Sequence, residues 1–193
     1  MRVVAKFGGT SLGSGDRINR AADSIAAAVE AGHEIAVVAS AMGNTTDALL
    51  DEIEFDADDR DRAEIVSMGE RTSVRMLKAA LAARGVNALF VEPGSDDWPV
   101  IANDLGEVNV EETKQRASKL AADLDHVVPV ITGFLAQNLD GEITTLGRGG
   151  SDTTAVMLGR YMNADEVVIV TDVEGVMTGD PRVVEGARNV GRI

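Results

Sequence analysis

The sequence predicts an α/β fold, a mainly parallel open sheet sandwiched between helices in three layers. Three observations carry that prediction. Short, nearly unbroken apolar runs recur along the chain, too short for helices and too apolar for strands that keep one face in water. Stretches with apolar residues at helical spacing lie between them. Polar, often glycine-bearing segments follow several of the apolar runs, where an open parallel sheet places its ligand loops.

In chain order, Val3-Val4-Ala5-Lys6 reads as a buried strand that runs into a loop at Gly8-Gly9. Ile18, Ala22, Ile25 and Val29 then mark one face of a helix, closed by Gly32 as a left-handed cap. Ile35-Ala36-Val37-Val38-Ala39 is the second strand, followed by a polar loop from Ser40 to Asp47. Ile65, Met68, Val74, Leu77 and Leu81 recur as a helix before Gly85 and the strand Ala88-Leu89-Phe90-Val91. Residues 111–124 form a helix leading into the strand at 127–132, and residues 152–162 form another leading into the strand at 167–171. Between these pairs, residues 134–145 read as a hairpin turning at Asp140-Gly141. Lys6, Ser40, Thr132-Gly133 and Thr171-Asp172 all fall at predicted strand ends and are expected along one edge of the sheet.

The 193 residues, 45% of them apolar, suffice for one domain with a substantial core. No apolar run is long enough to span a bilayer, and no basic, apolar leader opens the chain, so a cytoplasmic protein without membrane partners is expected. The absence of cysteine excludes disulfides, zinc–thiolate sites and a thiol nucleophile. His33 and His126 are too few for a histidine metal cluster. A net charge of −14 argues against nucleic acid, whose phosphates need a basic stripe. Acidic blocks such as residues 56–61 read as hydrated faces. They point to a salt-loving source, the alternative being an acidic protein without special salt needs. Against that background the few lysines (Lys6, Lys78, Lys114 and Lys119) are informative, because anionic substrates require locally concentrated positive charge.

The densest chemistry lies in Thr145-Leu146-Gly147-Arg148-Gly149-Gly150-Ser151-Asp152-Thr153-Thr154-Ala155. Its glycines let backbone approach a ligand, the helix that follows aims amide N–H groups at negative charge, and Arg148 can fork onto a carboxylate or phosphate. Phosphoryl transfer asks mainly for anions held in line with their repulsion neutralised, and Lys6, leaving a strand into Gly8-Gly9, suits that task. An amino-acid ligand needs a cation for its α-carboxylate, which Arg148 supplies, and an anion for its α-ammonium, for which Glu70 and Asp152 are candidates. Glu70 could instead be a solvated helix charge, and Asp152 a residue favoured by the helix dipole. Gly69, interrupting an otherwise helical stretch, favours a functional Glu70. No Gly-x-x-x-x-Gly-Lys-Ser/Thr loop, no protein-kinase set and no Gly-x-Gly-x-x-Gly after the first strand is present.

Lys6-Phe7-Gly8-Gly9-Thr10-Ser11, Ser40-Ala41-Met42-Gly43-Asn44-Thr45-Thr46-Asp47, Ser67-Met68-Gly69-Glu70-Arg71, Gly147-Arg148-Gly149-Gly150-Ser151-Asp152 and Thr171-Asp172-Val173-Glu174-Gly175-Val176, in that order, resemble the catalytic domain of the aspartate kinases, in the amino acid kinase family. The resemblance spans essentially the whole chain. It implies transfer of the γ-phosphoryl group of ATP to the side-chain carboxylate of L-aspartate, at the entry to lysine, threonine and methionine synthesis. It implies catalytic roles for Lys6, Arg148 and Asp152, and substrate contacts at Thr45, Glu70, Arg148, Gly149, Gly150 and Ser151. It further implies ATP contacts at Lys6, Phe7, Gly8, Gly9, Ser40, Thr171, Asp172, Met177, Asp180 and Arg182. Magnesium is expected to arrive with the nucleotide, with no metal site of the protein's own, and a homo-oligomer is expected. Residues of about 1–130 would form a substrate lobe and 131–193 the start of a nucleotide lobe. The domain is expected to be incomplete at its C-terminus and without a regulatory ACT domain. Met177 stands where many relatives have tyrosine, and the lysine expected soon afterwards has Arg188 as its nearest substitute. Glutamate or acetylglutamate as acceptor, or a non-catalytic binding or oligomerisation module, are the alternative readings.

Overall fold

The computed structural model describes residues 1–171, 175, 178–179, 183–188 and 190. Its elements follow in the order β1 (Arg2–Phe7), α1 (Gly9–Leu12), α2 (Gly15–Glu30), β2 (Glu34–Ala39), α3 (Thr45–Asp51), α4 (Asp59–Ala82), β3 (Ala88–Val91), α5 (Val110–Leu120), a 3-10 turn (Ala121–Asp123), β4 (Val128–Thr132), β5 (Leu135–Gln137), β6 (Ile143–Thr145), α6 (Gly150–Tyr161) and β7 (Glu166–Val170). Five strands form one parallel sheet in the order β3-β4-β2-β1-β7, and β5 and β6 form the antiparallel hairpin.

Strand periodicity sorts the core into two layers. On β2, Ile35, Val37 and Ala39 face one way and pack with Ile18, Ala22 and Ile25 of α2 and Val74, Leu77 and Leu81 of α4. Ala36 and Val38 face the other way, with Ala117 and Leu120 of α5, Ala155 and Leu158 of α6, and Met162, which caps it. Both faces are therefore buried, which is why the strands are apolar throughout. Where α6 crosses β7 there is no room for a side chain: a Cβ on Gly159 would lie 2.3 Å from Cγ2 of Val167.

The helices begin where side chains cap them. Ser14 accepts from Arg17 N at 3.3 Å, Asp58 from Asp61 N at 2.8 Å, and Asn109 from Glu112 N at 3.2 Å. The cap at Asp58, with Asp59 and Asp61 favoured by the dipole in the first turn, starts α4 well before the apolar periodicity at Ile65. Part of the acidic block read as a hydrated face thus opens a helix. The expected loop from Ser40 to Asp47 is shorter, because α3 begins at Thr45, and the stretch expected as one helix over 111–124 passes into the 3-10 turn after Leu120. The short α1 also lies where only a glycine loop was expected.

The chain leaves β1 and β2 toward the α2–α4 layer and leaves β3 and β4 toward the α5–α6 layer. Since β2 and β4 are neighbours, the exits diverge between them and open a crevice at their carboxyl ends, the place where open α/β sheets bind ligands.

Candidate active site

A cleft of about 270 Å³ occupies that crevice, lined by Lys6, Ser40, Thr46, Glu70, Phe134 and residues 147–152. Its floor depends on close backbone approach. A Cβ on Gly9 would sit 2.7 Å from the Gly43 carbonyl oxygen and 2.9 Å from that of Ala41, so the loops after β1 and β2 abut only because residue 9 is glycine. Gly43 N donates to Gly9 O at 2.9 Å and Ser40 N to Phe7 O at 3.1 Å, locking the two loops together. A Cβ on Gly133, just past β4, would meet Ser151 Cβ at 2.7 Å, which sets the N-terminus of α6 directly over the strand end.

Phe134 adopts a positive φ of 66°, rare for a bulky residue. Leu135 N donates to Gly133 O at 2.7 Å, closing a tight three-residue turn around it, and Leu146 N donates to Phe134 O at 2.8 Å. The turn brings Phe134 against Gly150, where an added Cβ would be 3.0 Å from Phe134 Cα. Gly149, with φ 77°, is the left-handed residue from which α6 starts; in the first turn Gly150 N donates to Gly147 O and Asp152 N to Gly149 O, both at 3.0 Å, while Ser151 N has no backbone partner among the described residues.

Lys6 lies near the end of the central strand, in register with Val38 and Ile169. Its ammonium is 2.8 Å from Asp152 Oδ1, with the Lys6 side chain 11% exposed and that of Asp152 55%. Arg148 is exposed, with no hydrogen bond or ion pair among the described residues. Glu70 is 3% exposed. Its Oε1 accepts the Ala41 N–H at 3.3 Å, and its Oε2 is buried without a hydrogen-bond partner. Burial pushes the Glu70 carboxyl up to about 7, a rise only partly offset by backbone N–H groups and the nearby Thr46 hydroxyl. Gly69 does not interrupt α4. It is glycine because a Cβ there would come within 2.9 Å of Ala41 Cβ, and its absence lets α4 approach the β2 loop.

Lys6, Ser40, Glu70, Arg148, Gly149, Gly150, Ser151 and Asp152 therefore share the cleft. Phe7 belongs to the α2–α4 core, and Gly8 and Gly9 form the loop below the cleft without lining it. Thr45 turns its hydroxyl to the Met42 carbonyl at 2.5 Å, while its neighbour Thr46 lines the cleft. Thr171 follows the end of β7, beside Val170, whose carbonyl accepts from Gly8 N at 3.3 Å. Asp172, Met177, Asp180 and Arg182 lie outside the described residues. Thr46, Phe134 and Gly147 also line the cleft and were not singled out from sequence. Gly147 stood inside the glycine run and Phe134 directly after a strand-end glycine, but nothing in a phenylalanine announces a positive φ. Among the described residues no group of three carboxylate or imidazole side chains is placed to hold a metal ion, and no helix is long and apolar enough to cross a membrane.

The arrangement offers a paired ammonium, a free guanidinium, a helix N-terminus and a buried carboxylate with one oxygen unused. In charge and shape such a set suits a small zwitterionic acid beside a polyanion. A model of the amino acid kinase family matches residues 1–193. The aspartate kinase of Pseudomonas putida is 41% identical over 99% of this chain and 47% of its own length, and aspartokinase 2 of Bacillus subtilis is 39% identical over 97% of this chain and 46% of its own. Among solved structures, E. coli aspartokinase III in complex with aspartate and ADP superposes with a TM-score of 0.85 at 28% identity, covering 98% of this chain and 53% of that one. The chain spans about half the length of the curated relatives it matches.

Proposed function

The chain belongs to the amino acid kinase family, and from that premise we propose that it acts as an aspartate kinase, transferring the γ-phosphoryl group of ATP to the side-chain carboxylate of L-aspartate. The products are 4-phospho-L-aspartate and ADP. The observation that carries this reading is the meeting, in one cleft, of the Lys6–Asp152 pair, the free Arg148 guanidinium and the unpartnered oxygen of Glu70.

The acceptor carboxylate is itself the nucleophile, so no general base is required. What the reaction needs is relief of repulsion between two anions brought within bonding distance. Lys6 supplies that relief. Asp152 holds its ammonium at 2.8 Å at the cleft, so little reorganisation is needed when a phosphoryl group arrives. The N-terminus of α6 adds its dipole and the Ser151 N–H to the attraction of the same negative charge. Arg148 forks onto the α-carboxylate of the acceptor, and Glu70 takes its α-ammonium on Oε2, leaving the side-chain carboxylate turned toward Lys6. Ser151 and Thr46 add hydroxyls, and Gly149 and Gly150 keep the backbone open to the acid.

The nucleotide is assigned to the side of β1 and β7, with contacts from Lys6, the backbone of Phe7, Gly8 and Gly9, Ser40, Thr171, Asp172, Met177, Asp180 and Arg182. Magnesium would arrive with the nucleotide and supply neutralisation of its phosphate charge, and Asp152, the more exposed carboxylate of the cleft, is the residue that would meet it. We assign about 1–130 to the acceptor lobe and 131–193 to the start of the nucleotide lobe, and expect a cytoplasmic homo-oligomer.

Hydroxylamine trapping tests the reading: an acyl phosphate gives a hydroxamate. With ATP and magnesium, a hydroxamate is expected from L-aspartate and not from L-glutamate or N-acetyl-L-glutamate. A product from either of those acids alone would reassign the acceptor. Aspartate binding by calorimetry without ATP binding or hydroxamate would mark a binding module instead.

A further inference from the structure

We propose that acceptor binding in this cleft is an exchange, in which the α-ammonium of the incoming amino acid replaces a proton on the buried carboxyl of Glu70 and that proton leaves to solvent. The inference rests on the acceptor reading given above and adds to it how a free amino group is selected.

Geometry makes the case. Glu70 sits on α4 at the wall of the cleft, 3% exposed, with Oε2 buried and without a partner. The hydrogen bond from Ala41 N to Oε1 is long at 3.3 Å, and the backbone N–H of Glu70 itself and the Thr46 hydroxyl offset the burial only in part. The charged groups around it are engaged elsewhere or free of it. From β1 comes Lys6, held on Asp152 of α6. Arg148, before α6, is exposed. From α3 comes Asp47, also exposed. After β3 stands Glu92, paired with Arg75 of α4, and from α2 come Asp23, paired with Arg84, and Arg20, paired with Asp16. On α4 itself Arg71 donates to the Pro93 carbonyl at 3.4 Å. Within the ends of β2, β4 and β6 at the cleft there is no titratable side chain.

A carboxylate so enclosed, with no cation of its own, is poorly solvated as an anion, and the empty cleft favours the proton. A ligand ammonium reverses that preference by pairing with Oε2. An N-acylated acid brings no positive charge, so it cannot drive the proton off. Burial places the carboxyl near neutrality, in the range where the exchange is measurable.

Calorimetry of L-aspartate binding to the 193-residue chain, in paired buffers of different ionisation enthalpy, measures the proton. Release is expected to be close to one per aspartate at pH 6, about one half at pH 7 and near zero at pH 8.5, with affinity falling about fivefold from pH 7 to pH 6. N-acetyl-L-aspartate is expected to bind at least about tenfold more weakly at pH 8.5 and without release. The E70Q variant should lose the release at every pH. Carboxyl carbon NMR of the unaltered chain reports the same event directly, with Glu70 titrating near neutrality when free and at least about two pH units lower when saturated with aspartate. Buffer-independent heats at pH 6, or a free Glu70 titrating as an ordinary glutamate, overturn the exchange while leaving acceptor binding intact. No aspartate binding even at pH 8.5 overturns the acceptor reading and the exchange together.

Discussion

Lys6 shows how one side chain can be decisive in a strongly acidic protein. Its ammonium is nearly buried, held by Asp152, at the point where the proposed reaction would bring an acceptor anion to a phosphoryl group. Replacing it with alanine removes a preorganised charge and is expected to lower kcat by about 10²–10³-fold with a smaller change in the KM for aspartate, measured by steady-state ADP release. Glu70 makes the opposite kind of contribution. Its carboxyl is raised from 4.5 to about 7 by burial, so the fold gains from the proton below pH 4.5 and loses that gain as pH rises through 7. E70Q is therefore expected to raise the melting temperature at pH 8 relative to the unaltered chain, by up to about 3 kcal/mol of stability, while weakening aspartate binding. A lower melting temperature for E70Q at pH 8 would show that the ionised carboxylate is better satisfied than its burial implies.

Element by element, the sheet and its helices were legible because buried parallel strands and amphipathic helices leave different periods in the sequence. The strand ends were legible too, and with them the gathering of Lys6, Ser40 and the α6 start at one edge. Less visible were features set by what lies opposite in space. Gly69 resembled a helix interruption, yet α4 runs straight through it and the glycine serves contact with Ala41. Thr45 was singled out in the sequence, yet Thr46 is the residue that lines the cleft wall, since a one-residue rotation at a helix start decides which hydroxyl faces inward. The positive φ of Phe134 follows from the tight turn after β4, a tertiary constraint with no signature in a phenylalanine. Gly133 tests the importance of that junction. G133A places a methyl 2.6 Å from Ser151 Oγ, so the N-terminus of α6 must shift, and a cost of about 1–3 kcal/mol is expected with a clear loss of aspartate affinity. Unchanged affinity in a folded G133A variant would show that the cleft does not depend on this packing.

Taken as a whole, the molecule is an acidic shell around a small site that gathers its cations at one sheet edge. With a net charge of −14, repulsion among surface carboxylates opposes compaction at low ionic strength. The melting temperature is expected to rise between low and molar KCl, followed by circular dichroism, and a flat response would remove the inference of a salt-loving source. The sheet order carries a separate implication for biogenesis. β1, the first of these strands in chain order, lies between β2 and β7. Arg2 N bonds to the carboxylate of Asp165, 163 positions later, at 2.8 Å. During synthesis the opening strand can find β2 early but must wait for almost the entire described chain before its other side is covered. Non-local closure of this sort is slow, and an uncovered strand edge invites pairing between nascent chains. On the ribosome, the most vulnerable interval for this protein thus falls between the emergence of β2 and that of β7, when early shielding of β1 would matter most.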